Sequence, residues 1–481
     1  MSWAKLALGR VLLFGMFAID ALMQIRHAPR YGAGGFNVAQ LPLLDGLGPT
    51  RGSYGVCELL NAYLFVLAAC GVATRLVVPA AAAIYAWLYF GSQLDSYQHH
   101  YLVSLLLLLA CFVPWQRPAG ATARTPVRAW ALRLVLLQLA IMYLWAAISK
   151  MSPAWLDGRT LAGQIGGPMR GLVDSTIGVR ATARLVLLVE LALAATVWIR
   201  PAWWVAAPLG LGFHLSIVFS KLEIGLFAWL MIALYAFVVP DAIWIAIAEL
   251  PPVQTALRVV GIVTGYFREG ARWLVWGLAL AVGIALAAAS RFDHALAVGL
   301  VLAAVPIAAL VVRRVRPGAA RAHIAWLSAA HLLAFTTWTI VDRTTTVAPD
   351  YYRFWGGSSR RLHDTAAAEH AYRRLVEVAP DESTGHYQLG RLLLARGADE
   401  EGLAELRAAQ RLEPTHARSF VAEARWLAEH GRRDEAIAKA REALAAEPGN
   451  ADARGLLEAL TGRSRAPAPP PDDAHDEPEP R

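Results

Sequence analysis

Apolar residues in this chain come in long, nearly unbroken runs, not in the stripe of an amphipathic surface helix. A membrane-spanning helix needs roughly 20 mostly apolar residues. Runs of that kind fall at 6–23, 55–73, 76–93, 99–115, 129–149, 183–199, 202–219, 224–239, 272–289, 294–312 and 324–341. The pattern predicts about ten or eleven spans. The stretch 242–267 is mixed and holds Pro251 and Pro252, which fits an interfacial or re-entrant segment. At the first run, Lys5 and Arg10 precede the apolar stretch Val11 to Met23 in the manner of a signal peptide. Asp20 interrupts it and no small-residue cleavage site closes it, so it reads as a retained span.

Beyond Asp342 the runs stop and charged, amphipathic helices begin. Pro380, Pro414 and Pro448 are spaced 34 residues apart, and Gly397 and Gly431, like Ala409 and Ala443, keep the same interval. Each unit reads as helix, turn, helix, with a proline closing the second helix. That period resembles tetratricopeptide repeats; an ordinary array of helical hairpins is the alternative. Either is a packing or peptide-binding module rather than a catalytic one. The tail from Ala466, rich in Pro, Asp and Glu, is predicted to be disordered. The expected fold is all-α: a polytopic transmembrane helical bundle followed by a soluble tetratricopeptide-like repeat domain. Its divisions are a membrane domain at 1–250, additional transmembrane helices at 251–345, repeats at 346–465 and a tail at 466–481.

Composition agrees. The chain is 57% hydrophobic and only 17% charged, and its mean hydropathy is +0.42, as in integral membrane proteins. The net charge of +8 calls for no nucleic-acid partner, because arginines gather in short loops between apolar runs. With the N-terminus inside, the inner loops hold Arg75, then Arg117, Arg124 and Arg128, then Arg200, Arg268 and the block Arg313, Arg314, Arg316. Everything after Val341 then lies outside, with His99, Lys150, His214 and Lys221 in the outer half; Arg26, Arg30, Arg159 and Arg170 count against this orientation. Cys57, Cys70 and Cys111 lie within apolar runs, without metal-ligand spacing, and predict no disulfide framework.

Ionisable groups inside spans cost about 2.5–3.5 kcal/mol each, so they face a bundle interior or a cavity. Lys150 ends an apolar run and shares a helix face with Tyr143 and Ala146. Two readings stand: an anchor snorkelling to the interface beside Trp155, or a catalytic base. If a helix already begins at Asp95, this carboxylate shares a face with His99 and can fix its tautomer. His99 and His100 diverge by about 100°, so at most one of them faces a given site; interfacial capping is the alternative. No third ligand has metal-site spacing, so no metal is expected. His214 follows Gly210 and Gly212, small residues that let a helix or a flat ligand approach, and it lies seven residues before Lys221. Its alternative is a helix-packing histidine. Glu190, in the middle of a span, calls for a buried partner or a protonated carboxyl, or else a structural hydrogen bond to a neighbouring helix. Asp20 and Asp241 read as structural.

Three motifs in order carry a family resemblance. They are Gln98-His99-His100-Tyr101-Leu102; Tyr143, Ala146, Lys150, Trp155 and Gly158; and Phe213-His214 with Gly225 and Phe227. Together they resemble the membrane domain of vitamin K-dependent γ-glutamyl carboxylases, which is shared with the bacterial horizontally transferred transmembrane (HTTM) proteins. The likeness covers residues 6–245. It implies that Lys150 deprotonates reduced vitamin K, or another quinol, and that His99 helps stabilise the reacting anion. It also implies that His214, Tyr143, Trp155 and Tyr101 line the quinone, with dioxygen consumed and carbon dioxide added if carboxylation occurs. Two departures stand out: Ser149 replaces a second lysine, and His100 replaces a small polar residue. The carboxylases' β-rich substrate-holding region has no counterpart after residue 250, so quinol oxidation or epoxidation transfers more readily than glutamate carboxylation. The expected partners are a membrane lipid or quinone, and a protein or peptide on the repeats. The expected place is a bacterial inner membrane, with the repeats outside. A non-catalytic membrane scaffold is the first alternative. A lipid-linked sugar transferase is the second, disfavoured because 26–51 holds one acid, Asp45, against three arginines.

Overall fold

The computed structural model describes residues 1–32, 39–44, 46–71, 73–94, 98–220, 226–255, 337 and 340–462. The expected spans at 272–289 and 294–312, almost all of that at 324–341, and the tail from Ala466 lie outside the described residues.

Long apolar runs become helices because a helix satisfies every backbone group within itself, which hydrocarbon demands. They are α1 (Trp3–Gln24), α2 (Arg51–Cys70), α3 (Thr74–Phe90), α4 (Gln98–Ala110), α5 (Trp130–Ser149), α9 (Gly178–Thr196) and α10 (Trp203–Phe219). Between α5 and α9 run three short helices, α6 (Pro153–Leu156), α7 (Arg159–Gln164) and α8 (Gly167–Ser175). Among the described residues no strand forms; Ser2 and Pro126 make one isolated bridge. Four described helices are long and apolar enough to cross a membrane: Trp3–Tyr31, Arg51–Cys70, Trp130–Ser149 and Arg200–Phe219; α3 and α4 are apolar but shorter. Apolar side chains such as Trp145, Leu188 and Trp204 point outward, more than half exposed, as a lipid-facing surface requires.

The run expected as one span at 224–239 is not straight. Its described part forms α11 (Phe227–Leu234) and a 3₁₀ turn, Tyr235–Phe237, then bends by 95° into α12 (Asp241–Glu249). Pro240 sits at the bend in an extended conformation, as a residue without an N–H does where a helix breaks. Asp241 secures the corner: its Oδ1 accepts from the Ser2 N–H at 3.0 Å and the Ser2 hydroxyl at 3.2 Å.

The chain divides into two compact units, Met1–Gln24 with Val38–Pro49 and Ser53–Arg343, and Ile25–Asn37 with Thr50–Gly52 and Thr344–Arg481. The first has an aromatic core in which Phe14 meets Trp115 edge-on at 5.1 Å and Phe17 lies 5.3 Å from Phe65.

The second unit is built from α13 (Val347–Arg361), α14 (Thr365–Val378), α15 (Ser383–Ala395), α16 (Asp399–Leu412), α17 (Ala417–Glu429), α18 (Arg433–Ala446) and α19 (Ala451–Thr461). Helices α14, α16 and α18 begin 34 residues apart, as do α15, α17 and α19. Buried alanines at 409, 436, 440, 443 and 453 let the helices cross closely. Ile25–Gly32, a 3₁₀ helix, joins this unit through α13. Arg26 pairs with Asp350 at 3.3 Å, and the Arg30 guanidinium lies 4.4 Å from the Phe354 ring centre.

The same interval exposes a strained position. Gly397 and Gly431 turn between paired helices with φ of 82° and 76°. One period earlier stands His363, with φ of 58°, where a side chain is disfavoured by about 1–2 kcal/mol. His363→Gly is therefore expected to raise the stability of this unit by about 1 kcal/mol, read as a higher denaturant midpoint.

Candidate functional site

Helix α5 ends at Ser149, and Lys150 caps it with its N–H on the Ala147 carbonyl. Nζ donates to Glu190 Oε1 on α9 at 2.9 Å and to the Ala146 carbonyl at 3.4 Å, and lies 5.1 Å from the Trp155 ring centre. The two side chains are 19% and 5% exposed, so the pair is largely withdrawn from water and each charge depends on the other. Trp155 is fixed in turn. Ser152 caps α6 by accepting from the Trp155 N–H, and the indole N–H donates to the Ala183 carbonyl on α9 at 2.9 Å.

Seven residues before Lys150, on the same helix face, Tyr143 is fully buried. Its Oη is 2.6 Å from His214 Nε2 on α10 and 3.0 Å from Tyr235 Oη. Tyr143 owns one hydroxyl proton. If it donates to His214, Tyr235 donates to Tyr143 and His214 carries its proton on Nδ1; otherwise the order reverses. His214 Nδ1 is then one open end of a hydrogen-bonded chain. Among the described residues, His214 Nδ1 and Glu190 Oε2 are buried without a hydrogen-bond partner.

Gly210 makes the second group possible. A Cβ built there would lie 1.9 Å from Tyr235 Oη. The small residue expected to admit a neighbour thus admits this phenol. Gly210→Ala is expected to cost about 1–3 kcal/mol by overpacking and to break the Tyr143–Tyr235 bond, visible as a lower thermal midpoint.

The other residues expected at the site are placed differently. His99 belongs to the first turn of α4, but its side chain lies outside the described residues, as do Asp95, Lys221 and Gly225. Its neighbour His100 is buried, with Nδ1 2.6 Å from Tyr85 Oη. Tyr101 is 49% exposed and joins neither group. Tyr235 was not anticipated from the sequence; as the one phenol in the run 224–239, it was a signal available there.

The HTTM domain family matches residues 1–242. The chain belongs to the HTTM family. No curated protein matches it. The matched stretch of this HTTM protein contains Tyr143, Lys150, Trp155, Glu190, His214 and Tyr235. It also gives the chain a coarse link to vitamin K-dependent carboxylase-like proteins, and with the apolar helices it fits an integral membrane protein.

Proposed function

We propose that this protein is a membrane enzyme acting on a reduced quinone, with Lys150 as the base that takes a proton from a quinol hydroxyl. The observation that carries the reading is the Lys150–Glu190 pair, on the same side of α5 as the His214–Tyr143–Tyr235 chain. These residues suit a quinol. A buried carboxylate oxygen and a buried imidazole nitrogen lack protein partners among the described residues, and the Trp155 ring lies beside the Lys150 amine. When bound, a quinol such as vitamin K hydroquinone would supply the oxidisable ring, with dioxygen as oxidant. Lys150 accepts the proton, Trp155 and the apolar helices exclude water, and Tyr143 and His214 orient the second ring oxygen. His99 keeps the assisting role that the family likeness gives it.

Epoxidation is the core of this reading, and carboxylation of a glutamyl peptide by carbon dioxide is its extension. The C-terminal helices, tetratricopeptide-like by their period, would present that peptide outside a bacterial inner membrane. That Ile25–Gly32, which follows α1, and the C-terminal helices belong to one compact unit supports putting both on one side of the membrane. With the N-terminus inside, that side is the outer one.

The protein in lipid nanodiscs, given vitamin K hydroquinone under air, should yield the quinone epoxide by mass spectrometry. Absence of epoxide across several quinols, from folded protein, favours the second reading: a scaffold in which the Lys150–Glu190 pair merely braces α5 against α9.

A further inference from the structure

We propose that Glu190 is the proton-accepting partner of Lys150, so that the working base is the pair and not the lysine alone. The inference rests on the proposed function and deepens it. A carboxylate that only braces two helices is expected to have both oxygens satisfied, because buried polar groups are almost always hydrogen-bonded. Glu190 is held through Oε1 alone, by Lys150 Nζ at 2.9 Å. Oε2 is buried and without a hydrogen-bond partner among the described residues, although the side chain is only 5% exposed. One oxygen accepts a hydrogen bond from the amine, and the other accepts none from the described residues.

Proton bookkeeping then selects the pair. An ammonium has three N–H bonds and no lone pair, so it takes a hydroxyl proton only while releasing one of its own. Glu190 Oε1 is in line to receive that proton. One N–H bond breaks and an O–H bond forms on Glu190; the substrate O–H breaks and a new N–H forms on Lys150. The pair passes from net neutral to singly positive, and the substrate oxygen becomes negative beside the ammonium. Charge is conserved, and a charge pair between protein and substrate replaces the one within the protein. Glu190 acts through Lys150 and does not touch the substrate, so it is a positioning residue. It lies far from any sequence motif, which is why spacing alone gave it no chemical role.

The test is infrared difference spectroscopy of the full chain in nanodiscs, without oxygen, before and after adding vitamin K hydroquinone. Ultraviolet absorbance of the same sample reports whether the hydroxyl has lost its proton. Wild type should show proton loss together with a new protonated-carboxyl band. Glu190→Gln, which keeps the shape and an acceptor for Lys150, should show neither, and its turnover should fall by about 100-fold at unchanged KM. Glu190→Asp should restore both signals in part. Proton loss in wild type without the carboxyl band, or proton loss undiminished in Glu190→Gln, overturns the role of Glu190 and leaves Lys150 as a lone base. No proton loss in wild type overturns Lys150 as base, and this proposal falls with it.

Discussion

Lys150→Met alone is expected to destabilise the protein by about 3–5 kcal/mol, because it leaves the Glu190 carboxylate buried and uncompensated. Glu190→Leu alone is expected to cost less. Lys150 caps the end of α5 and keeps some exposure, so its long stem can swing the amine to the interface beside Trp155. Glu190 sits in the middle of α9 and has no such escape. The double variant should return to within about 1 kcal/mol of wild type or exceed it, since an apolar pair of similar volume removes both desolvation costs. Reversible unfolding of the three variants in detergent measures the cycle. Additive losses would mean that the two side chains do not depend on each other, against the 2.9 Å contact.

Lys150→Arg separates chemistry from folding. Arginine keeps the positive charge and can pair with Glu190 through two donors, so the variant should fold with a near-normal midpoint. Its guanidinium does not deprotonate in proteins, whereas an ammonium releases a proton to a neighbouring carboxylate. Loss of a positioned general base lowers turnover by about 10²–10⁴-fold. Initial epoxide rates, normalised to folded protein, should fall by that factor although the site keeps its charge. A rate within threefold of wild type would assign Lys150 to bracing.

Run length and residue spacing made much of this protein legible. The apolar runs announced an all-α membrane bundle because hydrocarbon leaves a single chain few other ways to satisfy its backbone. The recurring prolines and glycines marked the 34-residue interval at which the C-terminal helices begin. Spacing also put Tyr143 and Lys150 on one face, and Gly210 announced a close approach, though not its occupant. Long-range pairing was not legible. Glu190 lies 40 residues from Lys150, and nothing in a local pattern says that α5 packs on α9. Tyr235 was hidden in an apolar run, and the 95° bend after it was marked only by Pro240. His363 hid an earlier instance of the interhelical turn, because the left-handed conformation there lacks its usual glycine. The joining of Ile25–Gly32 to the C-terminal unit is likewise tertiary, invisible to periodicity.

That Lys150 starts quinol oxidation is tested most directly by oxygen uptake. Vitamin K hydroquinone is added to air-equilibrated nanodiscs holding wild type or Lys150→Ala, and oxygen is followed with an electrode. Wild type should take up oxygen above the uncatalysed rate, and the variant should fall to that rate. Equal uptake by both, with the variant folded, would contradict that role of Lys150.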